Sequence, residues 1–83
     1  MPYGTSINIP EWDGHVRACG EVFRLQKGSR VAVGELWTHP YGGEVRVMVD
    51  GELVRSEAKR DGRALLNLAL DWKHQFQEKG WTA

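Results

Sequence analysis

Glu44-Val45-Arg46-Val47-Met48-Val49, followed by Asp50-Gly51 and then Glu52-Leu53-Val54-Arg55-Ser56-Glu57, is the stretch that decides the fold of this 83-residue chain. Its strict alternation of polar and apolar residues has the two-residue period of a strand with one face buried. Asp-Gly suits a type I′ turn, in which both central residues need positive φ. A hairpin with a two-residue turn is therefore predicted. In that register Val47 faces Val54, Met48 faces Leu53, Arg46 faces Arg55 and Glu44 faces Glu57. Like charges directly opposite cost roughly a few tenths of a kcal/mol. The diagonals Arg46 to Glu57 and Arg55 to Glu44 are opposite in sign, so a solvated charge ladder is expected.

Upstream, His15 to Gln26 and Arg30 to Trp37 are two β-rich runs separated by Lys27-Gly28-Ser29, a second hairpin signal. A helix starting at Asp13 competes for the first run, because Val16, Cys19 and Phe23 also fit a helical stripe. Gly20 disfavours it, since glycine inside a helix costs about 1 kcal/mol relative to alanine. Loops of two and of three residues both fit this hairpin, and they place different side chains on the core face. Thr38 to Gly43 is read as a connection, because Pro40 removes a ladder donor. Residues 1–13 are read as an extended arm, with a short extended piece at Ser6 to Ile9 and with Ile7, Ile9 and Trp12 available to fasten it.

Downstream, a helix is predicted from Asp61 to Lys79. Asp61 is its N-cap, Gly80 its C′ residue, and Lys73, His74 and Lys79 lie toward its negative end. Leu65, Leu68, Ala69, Trp72 and Phe76 recur at steps of three and four, and Leu66 and Leu70 widen the stripe. The expected fold is one α+β domain over residues 1–83. A four-stranded antiparallel β-meander spans residues 15–57 and packs on one C-terminal amphipathic helix at 61–79.

Composition bounds the function classes. A chain this short buries only about 60 to 65% of its unfolded surface, which leaves no room for a second core. Eleven Lys plus Arg offset eleven Asp plus Glu, so no net field announces a polyanion or a membrane. The single cysteine forms no internal disulfide, and no signal-peptide pattern or membrane-spanning run is evident, so a cytoplasmic domain is expected.

Chemistry-bearing patterns are sparse. His15, Cys19, His39 and His74 lack the spacing of a zinc site, and no metal or other cofactor is expected. Cys19, read as mid-strand, is expected to be a small core residue rather than a nucleophile. Neither a Gly-x-Ser-x-Gly turn nor a phosphate-binding glycine loop occurs, and no catalytic residue is assigned. Two candidate sites remain. Trp37, His39 and Tyr41, beside Pro40, form a candidate recognition loop; the ordinary alternative puts Trp37 inside the core with Tyr41 over its rim. Arg55, Lys59, Arg60 and Arg63 form a basic cluster near the start of the last helix, a candidate anion or nucleic-acid site.

The loop His39-Pro40-Tyr41-Gly42-Gly43, the strand and turn Glu44 to Gly51, and the run Lys59-Arg60-Asp61-Gly62-Arg63-Ala64 resemble, across residues 38–76, the strand-strand-helix half of a double-stranded-RNA-binding domain. The last run looks like that family's Lys-Lys-x-Ala-Lys cluster, and the resemblance implies phosphate contacts by Lys59, Arg60 and Arg63. The family's first, groove-reading helix has no counterpart, because residues 13–28 look more like a strand. As a type, the chain also resembles small bacterial proteins of unknown function built from a meander and one amphipathic helix. The leading expectation is a non-enzymatic interaction domain that binds a protein partner or another copy of itself. Duplex RNA is the alternative partner, and no membrane role is expected.

Overall fold

The computed structural model describes residues 12–83; the arm proposed at the N-terminus, including the extended piece at Ser6 to Ile9, falls almost entirely outside them. Four strands, β1 (Ala18–Lys27), β2 (Arg30–His39), β3 (Gly42–Val49) and β4 (Glu52–Lys59), form one antiparallel sheet in sequence order. Helix α1 (Gly62–Glu78) lies across one face of that sheet and packs on β1, β3 and β4. The predicted α+β meander with a C-terminal helix is the observed architecture.

The turns follow local chemistry. Asp50 and Gly51 both adopt positive φ, at 52° and 84°, as a type I′ turn requires. The first hairpin closes with the two-residue loop Gly28-Ser29, since Lys27 pairs with Arg30. The competing helix over the first run does not form. Gly20 sits at φ 127°, outside helical space, between two irregularities in the β1–β2 ladder.

Several boundaries and partners differ from expectation. Strand β1 begins at Ala18 rather than His15. The supposed connection Thr38 to Gly43 is mostly strand: Thr38 pairs with Gly43 and His39 with Gly42, leaving only Pro40-Tyr41 as loop. In the last hairpin Met48 does face Leu53, but a bulge then shifts the ladder, so Val47 faces Arg55, Arg46 faces Ser56 and Glu44 faces Ala58. One extra residue at Val54 dissolves the predicted charge ladder, because each later residue moves to a new partner. The charges pair along their own strands instead, Glu44 with Arg46 and Glu57 with Lys59, each at 2.9 Å.

The core lies between the sheet and α1. Even-numbered residues of β2 (Ala32, Leu36) and odd-numbered residues of β3 (Val45, Val47, Val49) meet Phe23 and Leu25 from β1 and Leu65, Ala69 and Trp72 from α1. Burying a side chain such as Leu65 or Trp72 stabilises the fold by about 1.5 to 3 kcal/mol. Leu68 and Phe76 pack at the edge of this cluster, whereas Leu70 is exposed. The helix ends are closed as predicted. Asp61 Oδ1 accepts from the Ala64 N–H at 2.8 Å. At the other end, the Trp81 N–H donates to Phe76 O at 3.1 Å and the Gly80 N–H to Gln77 O at 3.0 Å. That pair of bonds is a Schellman motif, and its hydrophobic contact is the edge-to-face packing of Trp81 on Phe76, with centroids 5.4 Å apart. Trp81 is thereby buried, and Thr82 forms an antiparallel bridge with Gln26 on the outer side of β1.

Candidate interaction surface

Alternation sends the other half of each strand away from α1, and no described element packs on that face. Strand β2 presents Val31, Val33, Glu35 and Trp37 there, β3 presents Glu44, Arg46 and Met48, and all are only partly covered. The sequence signal for this surface is in β2, where Val31-Ala32-Val33 is apolar at both parities. A shallow concavity of about 330 Å³ lies on this face, lined by Arg24, Val31, Val33, Glu35, Met48, Asp50 and Gly51. Its floor is valine and methionine, and its rim is charged.

The rim charges are held by neighbours. Arg24 is ion-paired with Glu21, whose hydrogen bond raises the guanidinium pKa further above its ordinary range and lowers that of the Glu21 carboxyl. Asp50 accepts from the Val31 N–H and from Arg30 Nε, each at 3.0 Å; these bonds, the backbone one first, hold its carboxyl below the usual carboxylate value. Farther along the same face, the Arg46 guanidinium stacks over the Trp37 ring at 4.2 Å and donates from Nε to Glu44 at 2.9 Å. Trp37 Nε1 donates to Glu35 at 3.1 Å. Four side chains from two strands thus fix one another in place.

The predicted sites land unevenly on this frame. Trp37 belongs neither to a loop nor to the core: it is in strand β2, on the face opposite the helix, because its parity is that of Val31 and Val33. His39 Nδ1 accepts from the Tyr41 N–H at 3.0 Å, and Tyr41 is exposed with the Arg60 guanidinium 4.9 Å above its ring. Tyr41 and Arg60 therefore join the candidate loop to the candidate basic cluster. The rest of that cluster is dispersed. Arg55 turns toward α1, stacks on Trp72 at 4.2 Å and donates to Gln75 Oε1 at 2.8 Å. Lys59 is ion-paired with Glu57, whose hydrogen bond raises its pKa above the usual lysine value. Arg63 is exposed in the first turn of α1. Only Arg63 of the four lies in the helix.

Strand β4 is the more accessible edge of the sheet. Among the described residues nothing pairs with its outer side, Glu52 to Glu57 are all exposed, and Leu53 and Val54 are each 54% exposed. Edge β1, in contrast, carries the Thr82 bridge at Gln26.

Cys19 corrects its expectation. It is exposed rather than a core residue, and it falls in the irregular start of β1, where residues 18–21 are all exposed. Among the described residues no three His, Cys, Asp or Glu side chains are grouped to hold a metal ion, and no helix is long and apolar enough to cross a membrane. Comparison with family models, curated proteins and solved structures finds no match to this chain.

Proposed function

We propose that this domain is a non-catalytic protein-binding module that takes an extended segment of a partner against the outer side of β4, next to the face that α1 leaves bare. The observation that carries this reading is the free edge of β4, with two apolar side chains, Leu53 and Val54, each 54% exposed on it. An unpaired edge offers a row of backbone donors and acceptors, and strand addition is the mode of recognition that uses them. Duplex RNA is less well supported. Arg55 is engaged with Trp72 and Gln75, Lys59 with Glu57 and Arg60 with Tyr41, so a phosphate must compete for each of the three.

A displayed library of random peptides, selected against the full chain, tests the reading. Enriched peptides are expected to perturb the backbone amides of residues 52–59. Perturbation confined to residues 62–79 overturns strand addition. A parallel titration with duplex RNA that shifts residues 39–43 and 59–64, with affinity falling as salt rises, favours the nucleic-acid alternative.

A further inference from the structure

The geometry points to a specific occupant for the β4 edge: β4 of a second copy, paired antiparallel about a two-fold axis at Ser56. This inference rests on the reading of β4 as a docking edge and adds the partner and the register.

A two-fold axis perpendicular to an antiparallel pair places one residue opposite its own copy, so only a few registers exist. Beyond the bulge at Val54 the ladder of β4 is regular, and its helix-side residues alternate in sign as Arg55, Glu57 and Lys59. An axis at Arg55 sets two arginines against each other. One at Glu57 opposes two glutamates and also sets Arg55 against Lys59. An axis at Ala58 gives attractive Glu57–Lys59 pairs, but it aligns only residues 57–59 before the bend at Arg60 and the start of α1 at Gly62. The axis at Ser56 pairs residues 55–57 of each chain regularly, continues to residues 53 and 59 only across the bulge, and sets Arg55 against Glu57 of the other copy, twice by symmetry. Directly opposed charges interact more strongly than diagonal ones. These charges are thus complementary to themselves across the axis, where each inter-chain pair competes with the contacts of Arg55 to Trp72 and Gln75 and of Glu57 to Lys59.

Edge pairing alone buries less area than a standard stable interface, so the dimer is expected to be weak and concentration-dependent. Sedimentation equilibrium of the full chain over a concentration series reads it out. Glu57→Arg opposes arginines at both symmetric pairs and is expected to weaken association about tenfold, equivalent to about 1.4 kcal/mol over two pairs. Arg55→Glu combined with Glu57→Arg restores attraction and is expected to recover most of that loss. Because Arg55 also touches Trp72, a variant that leaves it in place gives a second readout: Ser56→Cys with Cys19→Ser is expected to form an intermolecular disulfide on mild oxidation, since opposed residues lie within bridging distance.

A constant mass of one 9.4 kDa chain at all concentrations overturns the proposal. A dimer that neither weakens with Glu57→Arg nor cross-links through position 56 overturns the register. If selected peptides bind β4 while the chain stays monomeric, self-pairing fails and the docking edge survives.

Discussion

The ring of Phe23 occupies the space that a side chain at Gly34 would need. The two residues are cross-strand partners in the β1–β2 ladder, and a β-carbon built on Gly34 would approach Cδ2 of the ring to 2.6 Å. Glycine here serves packing, since its φ is ordinary and its neighbours Val33 and Glu35 continue the strand. Gly34→Ala is therefore expected to destabilise the domain by about 1 to 3 kcal/mol, the usual cost of overfilling a packed site. Urea unfolding measures it. In a Phe23→Ala background the same substitution is expected to cost markedly less, because the obstructing ring is gone; an equal cost in both backgrounds contradicts the packing account.

Thr38 is the one buried polar residue among those described, at 2% exposure, and it organises the approach to β1. Its Oγ1 accepts from the Arg17 N–H at 2.7 Å and donates to His15 O at 3.1 Å, while the Thr38 N–H donates to Arg17 O at 2.8 Å. Thr38→Val keeps the shape and the backbone bond and removes both hydroxyl contacts. The expected loss is about 1 kcal/mol, with faster hydrogen exchange at the Arg17 amide. Unchanged exchange there means the hydroxyl does not hold the segment.

Features legible in the sequence are those decided within a few residues. Asp61 and Gly80 close α1, and Asp50-Gly51 turns the last hairpin, because each needs only its own dihedrals and the nearest backbone groups. Features that depend on counting along a partner strand were not legible. The bulge at Val54 reassigns every later partner in β4, yet nothing in Leu53-Val54-Arg55 announces it. Cys19 falls where the ladder slips between Ala18 and Gly20, in a stretch exposed at both parities. The face taken by Trp37 was ambiguous, since β2 is apolar at both parities, and only the valines of β3 and the helix stripe decide which side receives the core. Arg55, Lys59 and Arg60 look like one basic cluster by proximity in sequence, but Arg55 and Lys59 lie four residues apart along one face of β4 and Arg60 lies at the bend before α1, so they meet Trp72, Glu57 and Tyr41 separately.

Trp81 shows how a residue outside any regular element can close the core. It is buried at the end of the Schellman motif, edge-on to Phe76, with the Arg30 guanidinium 5.8 Å from its ring. Trp81→Ala is expected to cost about 3 to 5 kcal/mol, as for other large buried aromatics. It is also expected to free the Gln26–Thr82 bridge, exposing the amide of Gln26 to exchange. Thermal unfolding combined with hydrogen exchange measures both effects, and a stability loss with Gln26 still protected separates the ring's packing from the bridge.

Asp50 is one of three carboxylates whose native contacts favour the ionised form. Its carboxylate accepts from the Val31 N–H and from Arg30, so its pKa is lower folded than unfolded. A group depressed in this way stabilises the fold at pH above its unfolded pKa, and the contribution is lost as pH falls through the folded value. Asp13 and Glu21 shift in the same direction beside Arg17 and Arg24, so stability is expected to drop on acidification below about pH 4. Lys59 has the opposite sign: its raised pKa gives a contribution present below the unfolded value and lost only as pH climbs through the folded one, on the far alkaline side. Asp50→Asn isolates the acid term. Asparagine tolerates the positive φ of 52° and keeps an acceptor for the Val31 N–H, but it does not titrate. Urea midpoints at about pH 7 and about pH 3 are expected to lie closer together in the variant than in the wild-type chain. Equal separation in both chains rules out Asp50 as a source of the acid sensitivity and leaves it to the remaining carboxylates.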